Sequence, residues 1–445
     1  MVDAVATCRR RRDARRRYPT RVALSSALLV ICAACAATTQ VTQPEPTKST
    51  PATTTPATTI APTPPGSPDE TEASGATGTD EPDPTTTSSP TTTTTIAPPV
   101  TVPGVYSHTA VGDMSPAVAD AKAYVYVPSN DDGSVTVIDQ ETMTVVKHYK
   151  VGRLVQHVVA SWDLTKLYAT ASGSNHLVEI DPTTGDRGAS IPVAAPYNLY
   201  FTPDGSTAIV MAERLKRMDF YDRLTWKLKF SVRTPCDGIN HADWSADEQW
   251  FLATCEFSGQ VLKIDSATGS ILNVLALPKG AMPQDLRLAP DGTKFYVADM
   301  EHGGVWIINA DGTEVTGSIE TGVGTHGIYP SRDASVVYVT NRGRTAHDVR
   351  RRSKPGDGSV SVIDPTSDTV IATWPIPDGG SPDMGGVSAD GKRLWLSGRY
   401  DAEVYVFDTT TGEVLATIPV PPGPHGLAVF PQPGRYSLGH TGNYR

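Results

Sequence analysis

One phrase recurs along this chain, and its period leaves few folds open. Seven short alternating stretches close on Asp139, Asp181, Asp222, Asp265, Asn309, Asp364 and Asp408, as in Val135-Thr136-Val137-Ile138-Asp139. These closing residues stand 42, 41, 43, 44, 55 and 44 positions apart. Ahead of them come a turn such as Ala289-Pro290-Asp291-Gly292 and a β-rich run such as Lys294-Phe295-Tyr296-Val297-Ala298. Behind them come a turn such as Thr410-Thr411-Gly412 and a fourth run, Val414-Leu415-Ala416-Thr417-Ile418. Apolar alternation with period two is the mark of a half-buried strand. Four strands in ~40–45 residues are one blade of a propeller. The repeat therefore predicts an all-β fold over 103–445: a seven-bladed β-propeller of four-stranded antiparallel blades. One count disagrees. First-strand positions number eight, because Asp113-Met114 and His425-Gly426 both take that place. Eight blades is the alternative. Seven blades, closed by pairing one end of the domain with the other, would leave no open sheet edge. The Pro-rich stretch at 97–103 is a poor source of an extra strand, since Pro cannot donate to a ladder.

The phrase resembles the YVTN family of β-propeller repeats. Tyr338-Val339-Thr340-Asn341 is the family's tetrapeptide, Ser359-Val360-Ser361-Val362-Ile363-Asp364 matches its third strand, and Pro424-His425-Gly426 its first. The resemblance spans about three quarters of the chain. It implies the propeller fold and leaves function open, because one fold hosts many activities. Its relatives include surface-layer-like exported proteins, lactonase-like enzymes and propellers that bind haem d1.

The first hundred residues read differently. Eight arginines between Arg9 and Arg21 precede an apolar run at 22–37. A basic head before a short apolar run is the pattern of an export sequence, expected here over 1–35. Cys35 follows Ala33-Ala34, like the end of a bacterial lipobox, although Cys32 stands where Leu is expected. Lipidation of Cys35 is the reading adopted; plain cleavage near residues 34–37 is the other. Residues 36–102 are mostly Thr, Pro, Ala and acidic side chains. Such a segment buries too little apolar surface to offset ordering entropy, and a disordered stalk is expected. Together these features predict an extracytoplasmic protein of the bacterial cell envelope, anchored to the membrane through its lipid or secreted. Removing eight Arg and two Asp with residues 1–35 takes the formal charge from -10 to -16. That balance argues against nucleic acid as a partner. A monomer is expected.

Chemistry is expected at the mouth of the central channel, where the first strands begin. Seven residues before each turn Asp (or the Gln432 in its place) stand Asp113, Gln156, Tyr197, Asn240, Gln284, His326, Asp383 and His425. The next position offers His157, Asn198, His241 and Asp285, among others. Strand alternation should send the two sets to opposite faces. The ligand-binding candidates are His157, His241, Asp285, His326, Asp383 and His425. Four of them, His241, His326, His425 and Asp285, are also candidates for acid–base catalysis. Each histidine could equally do no more than hydrogen-bond neighbouring backbone.

The interval of 55 marks an insertion at 342–355 that carries Arg344, Arg350, Arg351 and Arg352. It could clamp an anion over the mouth, or be an ordinary solvated loop. Cys236 and Cys255 are the cysteines left outside the export sequence, and an exported protein can keep them as a disulfide. His-Glu-x-x-His, Cys-x-x-Cys-His and Gly-x-Ser-x-Gly do not occur. Covalent haem and an α/β-hydrolase nucleophile are thereby disfavoured. The function expected is a binding module that takes a small ligand or protein partner at the channel mouth, with no cofactor. One alternative is a lactonase- or lyase-like enzyme using channel His and Asp. Another is non-covalent haem d1 or a metal.

Overall fold

The computed structural model describes residues 104–345, 357–440 and 442–445. All belong to one compact unit, Thr92–Arg445. The export sequence, Cys35, the stalk, Arg350, Arg351 and Arg352 lie outside the described residues.

The described strands form seven antiparallel sheets, each with at least four strands. Blades 1 to 6 are contiguous, at 155–192, 198–233, 239–276, 283–320, 325–375 and 382–419. Blade 7 takes three strands from 124–150 and its innermost strand, Ala428–Phe430, from near the other end of the domain. Tyr124, Val125 and Tyr126 pair with Phe430, Val429 and Ala428. The ring thus has seven blades, and the eight-blade alternative falls away. Asp113-Met114 starts no blade strand; Met114 instead bridges to Pro433 and Gly434.

The repeat is a set of local hydrogen-bond devices. Each closing Asp accepts from the turn after it. Asp265 Oδ1 takes the N–H of Ala267 and Thr268, and Asp408 Oδ1 those of Thr410 and Thr411. Short Asp and Asn side chains favour turns by offering this partner. In the turn after the first strand, Ser388 Oγ donates to Asp390 and accepts from the N–H of Arg393. Between these turns the strands bury rows of Val, Ile and aromatics against the next blade. One cluster joins Tyr126, Val135 and Val137 of blade 7 to Val155, Val158, Ala169 and Ile180 of blade 1. The outermost strand of a blade has only one neighbour, so Thr369–Pro375 alternates exposed and half-buried residues.

Alternation fails where the channel begins. In blades 1, 3, 4, 5 and 6 the inner strand carries a register shift, as between Ile239 and Ala242. Asn240 and His241 together oppose the single residue Thr254. This is a β-bulge, which re-aims side chains. Both candidate sets consequently converge on the channel, and not on opposite faces as alternation predicts. The third letter of the family tetrapeptide has its role here. Thr340 Oγ1 accepts the bulged N–H of Gly327 at 2.7 Å and donates to the carbonyl of Asp383 in the next blade at 2.6 Å. Thr170 does the same for His157 and Tyr197, and Thr254 for His241 and Gln284. One hydroxyl satisfies a bulge and stitches two blades.

After the ring closes, the chain re-enters it. Ser437–Gly439 pairs with the inner edge of blade 2 through Gly439 and Tyr200, and Asn443–Tyr444 follows, so that blade has six strands. Tyr436 stacks on Trp162 at 5.4 Å and donates to Glu248. Arg445 binds Asp243 at 2.7 Å and lies over the Tyr106 ring. These contacts lie at the far ends of the first strands, and they cap that end of the channel.

Candidate channel-mouth site

The open end holds a cavity of about 310 Å³. Its walls come from two positions that repeat from blade to blade. The first is the start of the inner strands, which supplies Gln156, Tyr197, Gln284, His326 and His425. The second is the residue immediately after the second strand. Strands ending at Ala212, Cys255, Asp299, Asn341 and Gly398 are followed by Glu213, Glu256, Met300, Arg342 and Arg399, and all five line the cavity. Sequence reasoning passed over this second ring. Its signal was a recurring position without a recurring residue type.

Asp383 organises the cavity floor. Its Oδ1 accepts from Arg342 Nε at 2.8 Å and Nη2 at 2.5 Å, and its Oδ2 meets His425 Nδ1 at 2.6 Å. His326 Nδ1 approaches Oδ1 at 3.1 Å, out of line for a hydrogen bond. Burial works against ionisation of Asp383, but Arg342 and His326 outweigh it and hold the carboxyl below its usual range. Burial pushes His326 and His425 down, and cations add to it: Arg342 beside the first, Arg399 and Arg342 beside the second. His425 Nδ1–H therefore donates to Asp383. That leaves Nε2 facing the Tyr197 hydroxyl at 3.4 Å.

His157, His241 and Asp285 lie a layer deeper and are buried. The His157 ring sits 4.9 Å from His425, 5.5 Å from His241 and 5.2 Å from His440. Neither nitrogen of His157 has a hydrogen-bond partner. The packing is close. A Cβ on Gly426 would fall 2.0 Å from His157 Nδ1, so only glycine fits there. His440 belongs to the re-entering tail, which carries no repeat signal. Its Nε2 stands 3.2 Å from Asp285 Oδ1, and Asn198 Nδ2 lies 3.0 Å from its Nδ1. His241, Asp285 and His440 offer one ligand atom each within 4.8 Å of one another, a donor set that could hold a transition metal. Asn198 and Asp285 already serve both nitrogens of His440, so metal binding there would require the Asn198 amide to turn.

Arg344 is buried at 7% exposure, its guanidinium 5.1 Å from the Tyr400 ring. Arg342 reaches the same ring at 5.8 Å. The first residues of the insertion thus pack into the wall of the site. Cys236 and Cys255 form a disulfide that ties the lead-in of blade 3 to the strand end before Glu256.

A family model described as a YNCE-like beta-propeller matches residues 94–435. No curated protein matches the sequence. Among solved structures, the chain is similar to a functionally unknown protein from Desulfotomaculum acetoxidans. Identity is 17% over 69% of this chain and 99% of that one, with a TM-score of 0.56. A putative 6-phosphogluconolactonase from Bacteroides uniformis aligns at 18% identity over 68% of this chain and 98% of its own, with a TM-score of 0.55. A dihydro-haem d1 dehydrogenase aligns at 14% identity over 68% and 74%, with a TM-score of 0.50. At these identities the likeness is one of fold.

Proposed function

The chain belongs to the YNCE-like β-propeller family, and from that premise we propose that it is an envelope-held binding module taking a small polar ligand at the open channel mouth. The observation that carries this reading is the cavity itself. It is a polar pocket walled by Glu213, Glu256, Arg342, Arg399, Tyr197 and His425, and the channel behind it is capped by the chain's own tail. A concave site with a few convergent polar groups is where ligands bind. The direct test is a thermal-shift screen of small polar compounds on the full chain. Binding of one compound class should raise the melting temperature, and Arg399→Ala should abolish the shift. Shifts that survive both Arg399→Ala and Glu256→Gln would place binding elsewhere.

Export and anchoring are part of the same proposal. The basic head, the apolar run and Cys35 support them, and so does a Cys236–Cys255 disulfide, which suits an oxidising compartment. The wild-type chain is expected in the membrane fraction of a bacterial host, and Cys35→Ser in the soluble fraction. Equal partition of the two proteins removes the anchor from the proposal.

One observation favours a second reading. His425 is oriented by Asp383 at 2.6 Å and presents Nε2 toward Tyr197, the arrangement of a general base held by a carboxylate. A pocket of this kind could act on the ligand it binds, as the name of the lactonase-like neighbour suggests for that protein. Turnover lost in His425→Gln, with ligand binding retained, would support it.

A further inference from the structure

The charges around the cavity are not all answered by the protein. Arg342 is neutralised by Asp383. Arg399 lines the same cavity, and its Nη1 is buried without a hydrogen-bond partner. The Gln156 Oε1 atom is likewise buried and unpartnered. Glu256 accepts from Asn240 Nδ2 at 3.1 Å and from the Gln284 side chain, and Arg342 and Arg399 both favour its charge. Glu213 faces it from the neighbouring blade. Burial and the charge of Glu256 raise the Glu213 carboxyl to about 7, and nothing basic among the described residues offsets this. Tyr197 lies in the field of both carboxyls and of Arg399 and Arg342, which puts all four charges around one ring. Met282, Met300, Phe257 and Tyr400 complete the wall with apolar surface.

The pocket thus presents a carboxyl with no cation among the described residues acting on it, Glu213, and a guanidinium with an unpartnered buried nitrogen, Arg399, around the Tyr197 ring. We infer that its ligand is a small zwitterion of the α-amino-acid type, with its ammonium group against Glu213 and Glu256 and its carboxylate against Arg399. This deepens the channel-mouth reading and rests on it. A simple anion would leave the Glu213 carboxyl without a cation. A simple amine would leave Arg399 as it is. The cavity, at about 310 Å³, is at the small end of ligand pockets, which run roughly 300–1,000 Å³. It suits a single residue or a dipeptide better than a larger chain. The methionines and Phe257 leave room for an apolar side chain on the ligand, since thioethers adapt to irregular shapes.

The test uses the full-length protein and three matched probe sets: free L-amino acids, their N-acetyl derivatives and the corresponding decarboxylated amines. Binding is read by calorimetry and by thermal shift. At least one free amino acid should bind, with N-acetylation and decarboxylation each weakening it tenfold or more. Glu256→Gln should lower affinity for the amino acid while sparing whatever weak affinity the N-acetyl form retains. Arg399→Ala should do the converse for the amine. Circular dichroism of each variant reports whether the blades remain folded, and Glu213→Gln is a second route to the ammonium side if Glu256→Gln is unstable. Binding of N-acetyl derivatives or amines as tightly as the parent amino acid overturns the zwitterion and leaves a channel-mouth site standing. Binding by neutral sugars or inorganic phosphate, with no amino acid bound, overturns it in the same way. No binding by any small polar compound takes down the channel-mouth reading as well.

Discussion

Acidification from pH 7 to pH 5 is expected to destabilise this propeller steeply. Five buried histidines meet on or beside the channel axis among the described residues: His157, His241, His326, His425 and His440. Burial holds every one of them below the usual imidazole range. A histidine kept neutral in the fold but free to charge when unfolded makes the unfolded state bind more protons. Its contribution is whole above pH about 6.5 and is lost as the pH falls below that value, at about 1.4 kcal/mol per pH unit. His326 and His425 face Asp383, and His440 faces Asp285, so carboxylates offset part of their shift. His157 meets His425, His440, His241 and Tyr197, with Arg399 near, and the largest influences on it are burial and these cationic or imidazole neighbours. His241 is held at about 3 by burial and by His440 and Arg287, against Asp285 and Asp383. His241 alone corresponds to about 2 kcal/mol at pH 5, and His157 adds to the loss in the same direction. Asp285 and Asp383 are themselves held low, so they add to the loss only below pH about 4. Melting temperature followed from pH 7.5 to 4.5 should fall steeply below 6.5. His157→Phe should match the parent at pH 7 and exceed it at pH 5, because neither ring nitrogen is hydrogen-bonded. A flat profile, shared by both proteins, would show that the axis takes up protons while folded.

Asp383→Asn is expected to cost about 3–5 kcal/mol, measured as a lower urea midpoint. The substitution keeps size and shape but leaves Arg342, only 5% exposed, without its counter-charge. An orphaned buried charge is far costlier than the intact pair is beneficial. The double variant Arg342→Met/Asp383→Asn should recover much of the loss, since it removes both charges together. If the single variant unfolds at the parent's midpoint, Arg342 is solvated through the pocket and the cavity floor is wetter than its burial implies.

The blades were legible because their signals are local. A closing Asp that accepts from the two amides after it needs nothing beyond its own turn, so seven of them could be counted from residues alone. The site was legible only in part. His326, Asp383 and His425 come together as their shared position suggests, because the repeat sets where each first strand begins. The facing of His157 and His241 was misjudged, because a bulge depends on which residue the partner strand places opposite. Glu213, Glu256, Arg399 and Tyr400 carried no motif. Glu213, Glu256 and Arg399 share one place, directly after the second strand of a blade, without sharing a residue type, and Tyr400 follows Arg399. His440 reaches the axis by a path that no periodicity describes.

The tail adds a constraint on how the molecule can be made. Residues 428–430 complete blade 7 with strands that begin at Tyr124, and residues 437–444 add to blade 2 some 240 positions after its first strand. Such pairings join the most distant parts of the domain, and contacts of that sequence separation form slowly. Until residues 428–440 have been made, blade 7 lacks its inner strand and His157, His241 and Asp285 lack His440 beside them. The emerging chain therefore travels with an open edge and an unfilled axis. Until residues 428–444 pair, that open edge can pair with other chains, a hazard that lasts as long as ring closure is delayed.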